Sequence, residues 1–173
     1  MLYIKYLVLA SVLFFVSCSS HKPIDGSNEV FAKNAISISY SSSKKLNLYD
    51  GESHVIPLVV YQLNNINSFN GLKKDKQGIV KLLGAKKFDN SVMSVSKFFI
   101  APNEVKTLYL NRATRAAWVC LVAGYYNMQP SQSTLQAKTP TYNAWNIFKS
   151  KEKQKMLRLK IHFDKSSIER EKE

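Results

Sequence analysis

The order of apolar and polar positions predicts a protein built mainly from short β-strands. In residues 35–40 and 156–163, large apolar side chains alternate with serine or with basic residues, which is typical of strands that bury one face and expose the other. Ile56–Leu63 is a continuous apolar run and indicates a central strand, with its proline near the start, where a missing backbone donor is tolerated. Further candidate strands are residues 92–100, 105–110, 116–126 and 145–148.

Turn-forming residues separate these runs. Asp50-Gly51, Pro102-Asn103 and the polar stretch 127–143 each lie between two candidate strands. About seven or eight short strands separated in this way predict a mainly β protein, an antiparallel β-sandwich. Residues 68–83 interrupt the pattern, because their apolar positions fit two short helical turns while two glycines argue against one long helix. We expect this insertion to pack on a sheet edge.

The first 18 residues resemble a bacterial lipoprotein signal peptide. Lys5 supplies positive charge, residues 6–16 form an apolar stretch too short for a membrane span, and a small serine comes just before Cys18. Phe15 stands where such signals usually carry leucine. An ordinary secretory peptide with an incidental cysteine is the alternative.

This resemblance implies that residues 1–17 are removed as a signal peptide. It also implies that Cys18 carries diacylglyceryl and acyl groups, and we expect no other cofactor. Several acyl chains anchor a protein stably, whereas one chain binds a membrane only marginally. The residue after the cysteine is serine and not aspartate, which implies an outer-membrane address.

The rest of the chain divides into three predicted segments. Residues 18–33 are polar and contain proline and glycine, which predicts a flexible lipidated tether. Residues 34–165 predict one β-sandwich domain, because a chain of this size supports a single core. Residues 166–173 predict a charged C-terminal tail.

The chain is strongly basic, with 25 Lys and Arg residues against 12 Asp and Glu residues and a net charge of +13. Beside a membrane, such charge favours anionic headgroups or an acidic partner over nucleic acid. A solvated basic surface is the alternative. Cys120 lies within an apolar run, which predicts a buried thiol, and a lipidated Cys18 leaves it without an intramolecular disulfide partner.

No residue pattern indicates catalysis. His21, His54 and His162 lack metal-ligand spacing, and the sequence has neither a G-x-S-x-G turn nor a glycine-rich phosphate loop. The carboxylates are scattered singly over predicted turns and strand ends. We therefore expect no catalytic residues, no metal site and no small-molecule substrate.

The order of these features resembles the TssJ lipoproteins of type VI secretion systems. A lipobox cysteine, a first strand and a loop precede an apolar strand that ends in Tyr61-Gln62-Leu63 and is followed by Phe69. Downstream, Pro102-Asn103-Glu104 matches a turn of that family, residues 122–125 match a hydrophobic strand, and Trp145 follows a loop as a tryptophan does in the family. The resemblance spans nearly the whole predicted domain.

Membership of that family would imply a transthyretin-like β-sandwich with a short helical insertion, anchored in the outer membrane and facing the periplasm. It would also imply a partner, the periplasmic domain of TssM in the TssJ–TssM–TssL membrane complex, bound chiefly through the loop between the first two strands. In this chain the loop is residues 41–55. Its candidate contact residues are Lys44, Lys45, Leu46, Asn47, Leu48, Tyr49, Asp50 and Gly51.

The composition of this loop suits binding. Leu46, Leu48 and Tyr49 provide apolar and aromatic groups in a loop that we expect no core to need. Lys44 and Lys45 would steer an acidic partner toward it. The alternative is that Leu48 or Tyr49 packs back on the rim of the sandwich.

A second hypothesis is a lipid-anchored periplasmic carrier or inhibitor with a β-sandwich fold. Tyr142, Trp145 and the polar stretch 127–143 would then line a groove for a small ligand or a glycan. The alternative for these aromatic residues is a place in the core. A cavity among them with converging polar groups would favour the carrier, and a protruding, weakly packed loop at residues 44–55 would favour the secretion scaffold.

Overall fold

The computed structural model describes residues 30–140 and 155–171. Its elements are β1 (Ala32–Ser42), β2 (Ile56–Leu63), α1 (Asn67–Leu72), α2 (Lys76–Leu83), β3 (Val92–Ile100), β4 (Val105–Arg112), β5 (Trp118–Ala123), β6 (Thr134–Lys138), β7 (Leu157–Phe163) and β8 (Ile168–Arg170), with one 3₁₀ turn at Pro130–Gln132. Within the described residues, no helix is long and apolar enough to cross a membrane.

The strands form two four-stranded sheets, in the orders β4-β1-β7-β8 and β3-β2-β5-β6. This arrangement confirms the predicted mainly β sandwich. One pairing differs from the expected antiparallel pattern, because β1 and β7 run parallel from Ile36 opposite Leu157 to Ser42 opposite Phe163. Alternating apolar residues show which face of a strand is buried but not the direction of its neighbour.

The core lies between the two sheets and follows the alternation in the sequence. Ile36, Ile38 and Tyr40 of β1 point inward and pack with residues of β7 and β2, including Leu159 and Leu58. Complete burial of one such aliphatic side chain contributes about 1.5–3 kcal/mol. Ser37, Ser39 and Ser41 lie on the opposite face of β1, whereas Ser42 is buried and its hydroxyl donates to the carbonyl of Ala101 at 2.6 Å.

The helical insertion packs over a sheet face, so the predicted position on a sheet edge is wrong. Phe69 of α1 and Ile79 of α2 cover the outer side of β2 and β5, where Val59 and Cys120 are buried. The hydroxyl of Tyr61 donates to the carbonyl of Leu82 at 2.7 Å. The outer face of this sheet is therefore apolar, which explains why β2 has no polar alternation.

Several predicted segments differ from the observed ones. The candidate strand 116–126 is shorter, Trp118–Ala123, because the strand ends before Gly124 and the chain turns at Tyr126 and Asn127. β8 forms within residues 166–173, where the expectation was a charged tail, and its Ile168 is buried in the core. The candidate strand 145–148, Tyr142 and Cys18 lie outside the described residues.

Strand direction gives the sandwich two distinct ends. Four connections meet at one end, which we call the loop end: residues 43–55, 101–104, 124–133 and 164–167. The first described residue, Val30, lies at the opposite end, just before β1. The 11 residues of β1 separate the two ends by about 35 Å, at roughly 3.3 Å per residue.

Candidate functional site

The loop between β1 and β2 is folded down onto the core at one point. Leu46 has no exposed surface and belongs to the main core cluster. Its carbonyl accepts the backbone N–H of His54 at 3.1 Å, so the two arms of the loop are joined there. The expectation that no core needs this loop is therefore wrong at Leu46, which covers the end of the core and presents no surface to a partner.

Asn47 joins the loop to its neighbours. Its backbone N–H donates to the carbonyl of Lys165 at 3.0 Å, and its Oδ1 accepts the backbone N–H of Tyr126 at 2.7 Å. Its φ is 48°, in the left-handed region that asparagine tolerates better than most residues. Through its backbone and its side chain, this one residue thus joins its own loop to the connections 124–133 and 164–167.

The tip of the loop is a two-residue hairpin. Tyr49 and Glu52 exchange backbone hydrogen bonds at 2.9 and 3.0 Å. Between them Asp50 and Gly51 both have positive φ, 51° and 79°, as a type I′ turn requires. The turn predicted at Asp50-Gly51 is confirmed, and it holds the tip in a defined shape.

An exposed pair of aromatic rings flanks this hairpin. The rings of Tyr49 and Tyr126 are 3.7 Å apart between centroids and inclined by 32°, yet the two residues remain 45% and 61% exposed. A hydrogen bond with Tyr49 raises the pKa of the Tyr126 hydroxyl, and partial desolvation adds to this. Val55, at the end of the loop, is also about half exposed. These groups give the loop end an aromatic and apolar surface.

Tyr126 was not among the predicted contact residues, because it lies 77 positions from Tyr49 and at the end of a predicted strand. The glycine at position 124 was the available signal that the strand ends earlier. The remaining predicted contact residues are distributed along the loop. Lys44, Lys45, Asp50 and Gly51 are exposed, and Leu48 is half-buried.

A cleft of about 520 Å³ opens beside the loop. Residues from four separate segments line it: Asn47, Leu48, Lys76, Asn127, Met128, Gln129, Gln132, Lys165 and Ser166. None of these described residues is aromatic, and four of them belong to the stretch 127–143 that the carrier hypothesis uses. Tyr142 and Trp145, which that hypothesis also uses, lie outside the described residues.

The described residues contain one serine–histidine–carboxylate contact. The hydroxyl of Ser41 lies 2.7 Å from Nδ1 of His162 and donates to Glu171 at 3.3 Å. In a catalytic triad the carboxylate orients the histidine, whereas here it contacts the serine, and the group lies on the outer face of a sheet. We assign it to cross-strand stabilisation.

Two other features bear on chemistry. Burial raises the pKa of the Cys120 thiol to about 12, so this cysteine is a packing residue with little thiolate at neutral pH. No group of three or more potential metal ligands occurs within residues 30–140 and 155–171.

Known structures share this fold. Serratia marcescens Lip, a membrane-bound component of the type VI secretion system, aligns with a TM-score of 0.65 and 18% identity over 80% of this chain and 97% of its own. The lipoprotein TssJ1 of Pseudomonas aeruginosa aligns with a TM-score of 0.59 and 14% identity over 79% and 93%. A chain in a structure described as the TssM C-terminal domain (869-1107) from EAEC aligns with a TM-score of 0.57 and 9% identity over 80% and 98%.

These identities are low, so the structural likenesses establish the fold only. No curated protein sequence matches the chain significantly. A family model is more specific: the one described as "Type VI secretion lipoprotein, VasD, EvfM, TssJ" matches residues 34–165, which is nearly the whole sandwich. The chain therefore belongs to this family of type VI secretion lipoproteins.

Proposed function

We propose that this protein is anchored in the outer membrane through lipid on Cys18 and binds the periplasmic part of TssM through its loop end. The observation that carries the proposal is the exposed Tyr49–Tyr126 pair, in which Tyr49 belongs to a prefolded hairpin, at the end of the sandwich opposite Val30. Aromatic residues of this kind are the commonest energetic centres of protein interfaces.

Family membership supports the broader part of the proposal. The family is a membrane-associated structural component of the type VI secretion system and not a known enzyme family. A chain in the structure described as the TssM C-terminal domain (869-1107) from EAEC shares this fold, which is consistent with a partner in the type VI secretion membrane complex.

The arrangement of the two ends supports an anchoring role. Residues 18–31 connect the lipidated cysteine to β1 and could extend to about 50 Å at most, at roughly 3.3–3.6 Å per residue. The sandwich adds about the length of β1 to this distance between the membrane and the loop end. A partner bound at the loop end would therefore be held well away from the headgroups while the lipid stays in the membrane.

The loop end is suited to binding without large rearrangement. The hydrogen bonds of Asn47 and the Tyr49–Glu52 bridge already fix its backbone, so binding needs to order only exposed side chains. Lys44 and Lys45 are exposed beside the hairpin and would raise the association rate with an acidic partner.

The test is capture of the periplasmic region of TssM by the full-length protein in detergent. Replacing both tyrosines, Tyr49→Ala with Tyr126→Ala, should weaken capture at least 30-fold, because truncating an interface hot spot costs about 2 kcal/mol or more. Tyr109→Ala is the matched control, since Tyr109 is 64% exposed but lies on β4 away from the loop end. Equal capture by the double variant and the control would refute the proposed interface.

A further inference from the structure

The cleft beside the β1–β2 loop has a chemical character distinct from that of the tyrosine pair. Its two charged side chains are both basic, Lys76 at the start of α2 and Lys165 in the turn between β7 and β8. None of the residues that line it carries a carboxylate. The cleft is therefore complementary to negative charge.

Neither lysine is neutralised within the described residues. The ion pair found there joins Lys106 and Glu104, neither of which lines the cleft. The carboxylate of Asp75, next to Lys76, caps α2 by accepting the backbone N–H of Gly78 at 2.8 Å. Asp164 precedes Lys165 but does not line the cleft. Both ammonium groups are thus available to a ligand.

The remaining walls fit a peptide. Leu48 and Met128 offer apolar surface, while the amides of Asn127, Gln129 and Gln132 are exposed and can donate to carboxylates or to backbone carbonyls. A volume of about 520 Å³ is within the usual range for ligand sites and accommodates several side chains.

The cleft is preformed. The N–H of Asn47 bonds to the carbonyl of Lys165 at 3.0 Å, which ties the loop to one wall. The opposite wall is held by Ser133, whose hydroxyl donates to the carbonyl of Gln129 at 2.8 Å, and by the bond between the Tyr126 N–H and Asn47. A ligand therefore does not have to organise the walls before it binds.

We propose that this cleft receives an acidic segment of the partner that the loop end binds, with carboxylates on Lys76 and Lys165 and an apolar side chain against Leu48 and Met128. This inference rests on the proposed function, and it adds the chemistry of the partner segment and a second contact region beside the tyrosine pair. Charge complementarity selects a protein segment that carries Asp or Glu.

The experiment reverses both charges, Lys76→Glu with Lys165→Glu, in the full-length protein. The matched control is Lys33→Glu with Lys87→Glu, which changes the net charge equally at exposed positions outside the cleft. Capture of the TssM periplasmic region should fall about 10-fold or more in the cleft variant and at most about twofold in the control. Equal losses would mean that general charge, and not the cleft, attracts the partner, and no loss would overturn the inference.

A charge-swap scan then identifies the segment. Asp→Lys and Glu→Lys substitutions in the TssM region should include at least one that restores capture by the cleft variant, because it pairs lysine with the new glutamates. Failure of every substitution to restore capture would contradict the inference. If the wild-type protein binds isolated sacculi and the cleft variant does not, while both capture TssM equally, then the ligand of the cleft is the cell wall. That result would also overturn the inference.

The tyrosine variants separate this inference from the proposed function. If Tyr49→Ala with Tyr126→Ala abolishes capture while the cleft variant captures normally, the cleft inference alone fails. If the tyrosine variant captures normally, the proposed interface itself fails, whatever the lysines do.

Discussion

At the scale of single residues, the shape of the loop end depends on conformations that few side chains adopt. Asn47 and Asp50 both have positive φ, and Asn47 also supplies the oxygen that accepts the Tyr126 N–H. The sequence indicated the turn at Asp50-Gly51 but not the role of Asn47, because its partners are Lys165 and Tyr126, far away in the chain. This residue therefore supports the shape of the site and also lines the cleft beside it.

Two substitutions at Asn47 separate the contribution of its side-chain hydrogen bond from that of its left-handed backbone conformation. Asn47→Ala should lower the free energy of unfolding by about 2 kcal/mol, because it loses a hydrogen bond and forces alanine into the left-handed region. Asn47→Gly keeps the backbone conformation and should lose about 1 kcal/mol. Denaturant midpoints measure both. Asn90→Ala, at an exposed turn residue without positive φ, is the control, and an Asn47→Ala midpoint equal to that of the control would refute the role assigned to Asn47.

At the scale of elements, the local pattern of the sequence predicted most strands. Contacts between distant segments determine the features that this pattern did not predict. β3 was predicted at its observed bounds, Val92–Ile100. The parallel pairing of β1 with β7 and the position of the helices over a sheet face depend on contacts between distant segments, which periodicity does not encode. The sequence predicted this loop as a candidate site. It did not predict the pairing of Tyr49 with Tyr126, because a contact between two separate connections leaves no local pattern in the sequence.

The contact between the two helices gives a prediction at this scale. A Cβ on Gly78 would overlap the backbone carbonyl of Leu72, whereas a Cβ on Gly71 would meet nothing within 4 Å. Gly78→Ala should therefore lower the free energy of unfolding by about 1–3 kcal/mol, the usual range for overpacking. Gly71→Ala should be neutral or stabilising by up to about 1 kcal/mol. Thermal unfolding measures the difference, and the opposite order would mean that the helices are not in this close contact.

At the scale of the whole molecule, the proposed function gives the two ends of the sandwich different roles, attachment at one end and binding at the other. β1 starts two residues after Val30, the first described residue, and ends at the loop that carries Tyr49, so one strand connects the two ends. Under this proposal, the basic charge of the chain would favour anionic headgroups at the first end and an acidic partner at the loop end. The proposed function needs both ends, because a lipoprotein must be anchored in the membrane and also bind the partner in order to connect the two.

The most direct measurement is the distribution of TssM in envelopes separated on a density gradient. With the wild-type protein, a fraction of TssM should sediment with the outer membrane. Cys18→Ser should remove both the lipoprotein and TssM from that fraction, and Tyr49→Ala with Tyr126→Ala should remove TssM while leaving the lipoprotein there. TssM that still sediments with the outer membrane in both variants would contradict the claim that this protein joins the two.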